Sequence, residues 1–150
     1  MPISTWVIVL IRILTGALFT YSGWSKLISP VQEFEYVIEQ YQLFPSPIIR
    51  LIAHALPWIE LVFGTFLLIG FMRTFGAQVL CGLCAAFLLL LASTLIRGID
   101  VGHCGCFGKG ILLTVTQAFT LDSCLVLILM FLSTYQPQRF ELDQWLGGKK

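Results

Sequence analysis

Long apolar segments dominate the hydrophobic pattern of this chain. A bilayer core about 30 Å thick needs roughly 20 apolar residues of helix, and four segments meet that requirement, at residues 5–27, 48–71, 73–97 and 113–135. Because backbone polar groups in lipid must be hydrogen bonded within the segment, each of these spans is predicted to be a helix. The predicted fold class is therefore all-α, an integral membrane four-helix bundle that forms one domain over residues 1–150.

A shorter amphipathic segment separates the first two spans. Residues 31–41 read VQEFEYVIEQY, and their apolar side chains recur at helical spacing on one face. Those side chains are Val31, Phe34, Val37, Ile38 and Tyr41. The pattern predicts a short amphipathic helix that lies in the membrane interface.

The number of spans determines which segments share a membrane face. Four spans put both termini on one side and place the amphipathic helix with the loop at 98–112 on the other. Lys and Arg number five on the terminal side and four on the loop side. Because cytoplasmic segments carry the excess of positive charge, this small difference favours cytoplasmic termini.

The composition supports a membrane environment and excludes one class of partner. Hydrophobic residues make up 57% of the chain and charged residues 11%, against roughly 25% charged in soluble domains. So few charges cannot cover the surface of a soluble fold, so membrane lipid is the expected surrounding. The net charge of +1 excludes nucleic acid as a partner, because phosphate binding needs concentrated Lys and Arg.

The loop at 98–112 carries the chain's most informative motif, His103-Cys104-Gly105-Cys106. Two thiols separated by one glycine can close into a small strained disulfide ring, and strained, exposed disulfides tend to be labile or catalytic. His103 can lower the pKa of the Cys104 thiol and raise its thiolate fraction. Cys104 and Cys106, with His103 in support, are therefore candidate catalytic residues.

Two other interpretations of this motif stay open. The cysteines can form a static crosslink that fixes the loop, or the loop can capture a soft cation such as copper(I). A zinc site is disfavoured because the motif offers at most three ligands and tetrahedral zinc wants four. No metal is therefore predicted.

The remaining cysteines lie within spans. Cys81 and Cys84 have the CxxC spacing of redox motifs, but mid-helix positions lack the exposure and helix N-terminus that activate such thiols. Cys84 also lies 13 residues before Arg97, roughly 20 Å of helix from the cysteine loop. Direct exchange between the two pairs would need a carrier. Cys81, Cys84 and Cys124 are predicted to serve helix packing.

Glu60 is the most informative single residue in the spans. It lies about 12 residues into the second span, roughly 18 Å deep, where an ionisable group is costly and suggests function. Such a group is either neutral or paired. A proton-handling or quinone-contacting role competes with a structural one, in which Glu60 is a helix clamp hydrogen bonded to Tyr21, Ser22 or Trp24 of the first span.

Other polar residues of the spans receive simpler interpretations. Asp122 in the fourth span raises the same question as Glu60. His54 is predicted to be a hydrogen-bonded interfacial histidine rather than a ligand. Lys26 and Arg97, at helix ends, are predicted to extend to the membrane interface.

Six short motifs in order along the chain resemble one known family. They are Arg12-Ile13-Leu14-Thr15-Gly16, Tyr21-Ser22-Gly23-Trp24-Ser25-Lys26-Leu27, Pro30 with Phe34, Tyr41-Gln42-Leu43-Phe44-Pro45, Ala55-Leu56-Pro57-Trp58-Ile59-Glu60-Leu61 with Gly64 and Gly70, and Cys104-Gly105-Cys106-Phe107-Gly108. This order is similar to the DoxX-like superfamily and, through the cysteine loop, to its methylamine-utilisation MauE branch. Two positions depart from the family pattern: His103 stands where Asp is common, and Thr120-Leu121-Asp122 lacks a preceding basic residue.

The resemblance implies a bacterial inner-membrane protein with the Cys104 loop in the periplasm. MauE-like proteins are linked to disulfides of periplasmic partners, and DoxX relatives to quinone-reducing oxidoreductases. The leading hypothesis is thus a thiol–disulfide redox protein that handles a periplasmic partner's disulfides and passes electrons to a membrane quinone. The alternatives are a non-catalytic small subunit or assembly factor of a larger respiratory or dehydrogenase complex, and a metal or small-molecule transport component.

Overall fold

The computed structural model describes residues 5–99 and 113–134, and this part of the chain folds into five α-helices. They are α1 (Thr5–Ile28), α2 (Val31–Gln40), α3 (Ser46–Ile69), α4 (Arg73–Arg97) and α5 (Val115–Thr134). All except α2 are long and apolar enough to cross a membrane. The predicted all-α class with four spans is therefore confirmed. The short helix predicted between the first two spans is present as α2.

The ends of the second span differ from the prediction because proline and glycine define them. The helix begins at Ser46, since Pro47 occupies its first turn, where a missing N–H costs nothing. It ends at Ile69 because Gly70 adopts a left-handed conformation, with φ of 80°, and its N–H bonds to the carbonyl of Phe66 at 2.9 Å. Span two is thus shifted about two residues toward the N-terminus of the predicted 48–71.

Two antiparallel helix pairs build the bundle. α1 packs along α3, α4 packs along α5, and the contact between the two pairs is less extensive. The largest apolar cluster lies toward the end that holds the N-terminus and includes Ile8, Leu67, Leu80 and Leu129. Away from this cluster the two pairs leave space between them, and the candidate site occupies it.

Glycines allow α1 and α3 to approach very closely. A Cβ placed on Gly23 would lie 2.6 Å from the backbone nitrogen of Leu61 and 2.7 Å from the carbonyl oxygen of Pro57. A Cβ on Gly64 would lie 2.7 Å from the backbone nitrogen of Thr20. Small residues at such contacts let helix backbones meet in membranes, where packing is a main source of helix association.

This contact also offsets α1 from α3 along the bundle. Because Gly23 faces Pro57 and Leu61, α1 ends at Ile28 while α3 continues roughly 12 Å further to Ser46. The short helix α2 occupies that level, with Ile38 packed against Ile49 and Ala53 of α3. α2 thus completes the bundle at the end where α1 stops.

We expect Gly23→Ala to lower the free energy of unfolding by about 1–3 kcal/mol, because the added methyl group overpacks the backbone of α3. Gly82→Ala is the matched control, since a Cβ there meets nothing within 4 Å. The measurement is thermal unfolding in detergent micelles, followed by circular dichroism. Equal stability of the two variants would contradict the close approach of α1 to α3.

Candidate functional site

The candidate site is a cavity of about 250 Å³ between the two helix pairs, to which all five helices contribute lining residues. Its wall is almost entirely apolar and rich in aromatic rings: Phe19, Phe34, Tyr41, Phe44 and Phe87. Ionisable side chains enter it from three of the spans. They are Lys26 of α1, Glu60 of α3 and Asp122 of α5.

Lys26 and Glu60 form a buried ion pair in this cavity. The Lys26 Nζ atom donates to Glu60 Oε1 at 2.7 Å and to Oε2 at 2.8 Å. Ser22, one turn earlier on α1, donates its hydroxyl to Oε2 at 2.8 Å. Lys26 is 5% exposed and Glu60 4%. The carboxylate therefore receives three hydrogen bonds from α1, which satisfy a charge that would otherwise be very costly to bury.

The contacts of this pair test two predictions, one about the partners of Glu60 and one about the direction of the Lys26 side chain. Glu60 is hydrogen bonded to Ser22, as the helix-clamp interpretation expects, whereas Tyr21 and Trp24 are 50% and 57% exposed and face outward. The prediction that Lys26 extends to the membrane interface is wrong. The side chain turns inward because Glu60 offers it a full carboxylate, and its ammonium also lies 5.2 Å from the centre of the Phe34 ring.

Asp122 enters the cavity from α5 and is 4% exposed. Its Oδ2 atom is buried and makes no hydrogen bond to any residue in the described ranges. Such an atom loses its hydrogen bonds to water when the chain folds and gains none from the protein, which is uncommon in folded proteins. Asp122 is thus the polar group in this cavity whose hydrogen bonding is incomplete.

Tyr41 closes the cavity on the side of α2. Its ring packs edge-on against Phe87 of α4, with the ring centres 6.3 Å apart, and its carbonyl accepts a hydrogen bond from Arg97 Nη1 at 3.2 Å. Burial raises the pKa of the Tyr41 hydroxyl to about 12, and the nearby Asp122 carboxylate adds to this. Tyr41 therefore stays protonated in the physiological range and attaches α2 to α4.

The sequence prediction included Glu60 and Asp122 but did not bring them together. It missed Lys26 as the cationic partner of Glu60, and it missed the roof of the cavity, which Phe34 and Tyr41 form. A charge-balance argument could have identified Lys26, since a carboxylate deep in α3 needs a cation from a neighbouring span. The glycines of α1 and α3 could have supplied the register that places Lys26 opposite Glu60.

The thiols of the spans are separate from one another. Cys81, Cys84 and Cys124 are all free; Cys84 is buried and lines the cavity. Cys124 is exposed, so the prediction that it serves packing within the chain is wrong, since its position on α5 turns it outward. His54 is exposed and its Nδ1 lies 2.8 Å from the Arg50 carbonyl, as expected for a hydrogen-bonded histidine.

His103, Cys104 and Cys106 lie outside the described residues. The residues that flank this segment, Ile99 and Leu113, pack against the same apolar cluster as Tyr41. Both ends of the cysteine loop thus attach to the bundle beside the roof of the cavity. Among the residues that the structure describes, no three His, Cys, Asp or Glu side chains converge as a metal site requires.

We expect Lys26→Met to destabilise the protein by about 3–5 kcal/mol, because it leaves the Glu60 carboxylate buried without a cation. The double variant Lys26→Met with Glu60→Leu removes both charges and should recover most of that loss. The free energy of unfolding in micelles tests this. A double variant as unstable as the single one would mean that the pair acts through packing and not through charge.

Comparison with known proteins identifies the family to which the chain belongs. The family model described as methylamine utilisation protein MauE matches residues 4–136. The methylamine utilization protein MauE of Paracoccus denitrificans is 29% identical over 110 residues, which cover 73% of this chain and 57% of the relative. The protein of the same description from Paracoccus versutus is 30% identical over 109 residues, which cover 73% and 56%.

The chain therefore matches little more than half the length of these two relatives. No solved structure matches it. The family model nevertheless extends over α1 to α5 and the loop between α4 and α5. With four helices able to cross a membrane, this multi-pass membrane protein belongs to the methylamine utilisation protein MauE family.

Proposed function

We propose that this chain is a membrane thiol–disulfide redox protein in which Cys104 and Cys106 cycle between dithiol and disulfide. The observation that carries this proposal is the Cys104-Gly105-Cys106 spacing, because two thiols so close form a strained ring that exchanges readily. The burial of Cys84 supports the loop as the place of exchange, since a partner protein cannot reach a buried thiol of the CxxC pair.

The balance of electrons and protons defines the two reaction partners that the cysteine loop needs. The loop disulfide accepts two electrons and two protons from a partner dithiol, so that the partner gains a disulfide and the loop becomes a dithiol. The loop is reoxidised when an acceptor takes two electrons and two protons from Cys104 and Cys106. A membrane quinone has this capacity and dissolves in the lipid that surrounds the spans.

The membrane side on which the cysteine loop lies, and the bacterial setting of the protein, are parts of the same proposal. We place the Cys104 loop in the periplasm of a bacterial inner membrane and the termini in the cytoplasm, because the small excess of positive charge on the terminal side favours this and the resemblance to DoxX-like proteins implies it. The partner is then a periplasmic protein, and the family's description suggests one that takes part in methylamine utilisation.

Thiol trapping in intact cells tests the proposal. In a background with Cys81, Cys84 and Cys124 replaced by Ala, a membrane-impermeant maleimide should label Cys104 and Cys106 only after mild reduction. Labelling should disappear again as respiration resumes, because the disulfide re-forms. The control is the same background with Cys104→Ser and Cys106→Ser, which should show no label at any stage.

Other outcomes of this experiment identify the alternatives. Labelling that does not respond to reduction, respiration or permeabilisation would overturn the redox proposal and favour a non-catalytic subunit of a larger complex. Labelling only in permeabilised cells would place the loop on the cytoplasmic side and reverse the proposed topology.

A further inference from the structure

We infer that the cavity beneath α2 is a binding site for an uncharged, flat apolar molecule that bears a phenol-type hydroxyl, which donates a hydrogen bond to the carboxyl group of Asp122. Nothing in the family description or in the thiol chemistry assigns this site. The inference stands on four features of the cavity: its exposed wall, its lining, its ionisable groups and its unsatisfied acceptor.

Part of the cavity wall is exposed at the level of lipid. Ala86 forms part of the cavity wall and is exposed, and it lies near the middle of α4, which runs from Arg73 to Arg97. An opening of the cavity beside Ala86 would lead to the hydrocarbon region of a membrane rather than to water. Molecules that enter the cavity by this route would be those that dissolve in lipid.

The lining and the volume suit an aromatic ring. A cavity of about 150 Å³ is large enough to hold benzene, so about 250 Å³ accommodates one ring and a short apolar substituent. Phe34 and Tyr41 form the roof and Phe87 part of the α4 wall. Aromatic side chains favour edge-to-face and offset contacts with a flat ligand.

The charges in the cavity disfavour an anionic ligand. Lys26 is already neutralised by Glu60, with both carboxylate oxygens of Glu60 accepting from its ammonium. The remaining ionisable group is Asp122, whose carboxyl group offers an acceptor oxygen in either protonation state. A cationic amine would also meet Asp122, but moving an ammonium from water through an apolar wall costs far more than moving a hydroxyl.

The acceptor is the carboxyl group of Asp122, which lines the cavity. Its Oδ2 atom is buried and is without a hydrogen-bond donor from the described part of the chain. A ligand hydroxyl supplies that donor. Hydroquinones belong to this chemical class, so a reduced quinone bound here would join the cavity to the proposed redox chemistry, although the binding site does not depend on that chemistry.

Matched ligands test the inference with the full chain in lipid nanodiscs, by isothermal titration calorimetry against empty nanodiscs. We expect para-propylphenol to bind saturably and about three- to tenfold more tightly than para-propylanisole, which has the same apolar body but no donor, because a hydrogen bond contributes roughly 0.5–1.5 kcal/mol. Equal affinity for the two, no saturable binding of either, or tighter binding of para-propylbenzylamine would overturn the inference.

The variant Asp122→Ala should abolish the preference for the phenol, whereas Cys124→Ala, on the opposite and exposed side of α5, should retain it. A preference that survives Asp122→Ala would overturn the assignment of the acceptor. If Asp122→Ala does not fold, the comparison of phenol with anisole on the unmodified chain decides alone. The measurement involves no thiol chemistry, so its failure would be distinct from failure of the redox proposal.

Discussion

The ion pair between Lys26 and Glu60 determines how the first and third helices are placed. In a low-dielectric interior either charge alone would be very costly, and together they are tolerable only at close range and with their hydrogen bonds satisfied. Two donor groups of α1 make three hydrogen bonds to the Glu60 carboxylate, and this requirement, together with close contact at Gly23 and Gly64, fixes one register of α1 on α3. The polar end of the cavity follows from that register.

The cavity exists because the same register leaves α1 short of the loop end of the bundle. A helix as short as α2 cannot span a membrane, but it can cover the level at which α1 is missing. It does so with Ile38 against α3 and Tyr41 against α4. The roof is therefore attached to both helix pairs, and the segment that carries the cysteines begins and ends beside it.

The sequence was sufficient to predict the elements but not their register. Apolar length alone located four spans, because lipid permits few alternatives to a helix. The cation that pairs with Glu60 was not predicted, because whether a long side chain such as Lys26 turns to the interface or to the interior depends on what lies opposite it. Cys124 was misjudged for a related reason: with apolar residues on every side of a span, periodicity does not distinguish lipid-facing from protein-facing positions. The motifs identified the family, whereas the cavity required the packing of all five helices.

The ion pair also relates to the order in which the chain is assembled. Lys26 precedes Glu60 by 34 residues, so α1 is synthesised before its counter-charge exists. Until α3 is in place, the lysine side chain is best accommodated at the headgroups, which the end of α1 allows. Docking of α1 in its final register is thus conditional on the arrival of α3. The ion pair between Lys26 and Glu60 therefore has two consequences. It forms the polar part of the cavity wall, and it makes correct packing of α1 against α3 a prerequisite for forming the cavity.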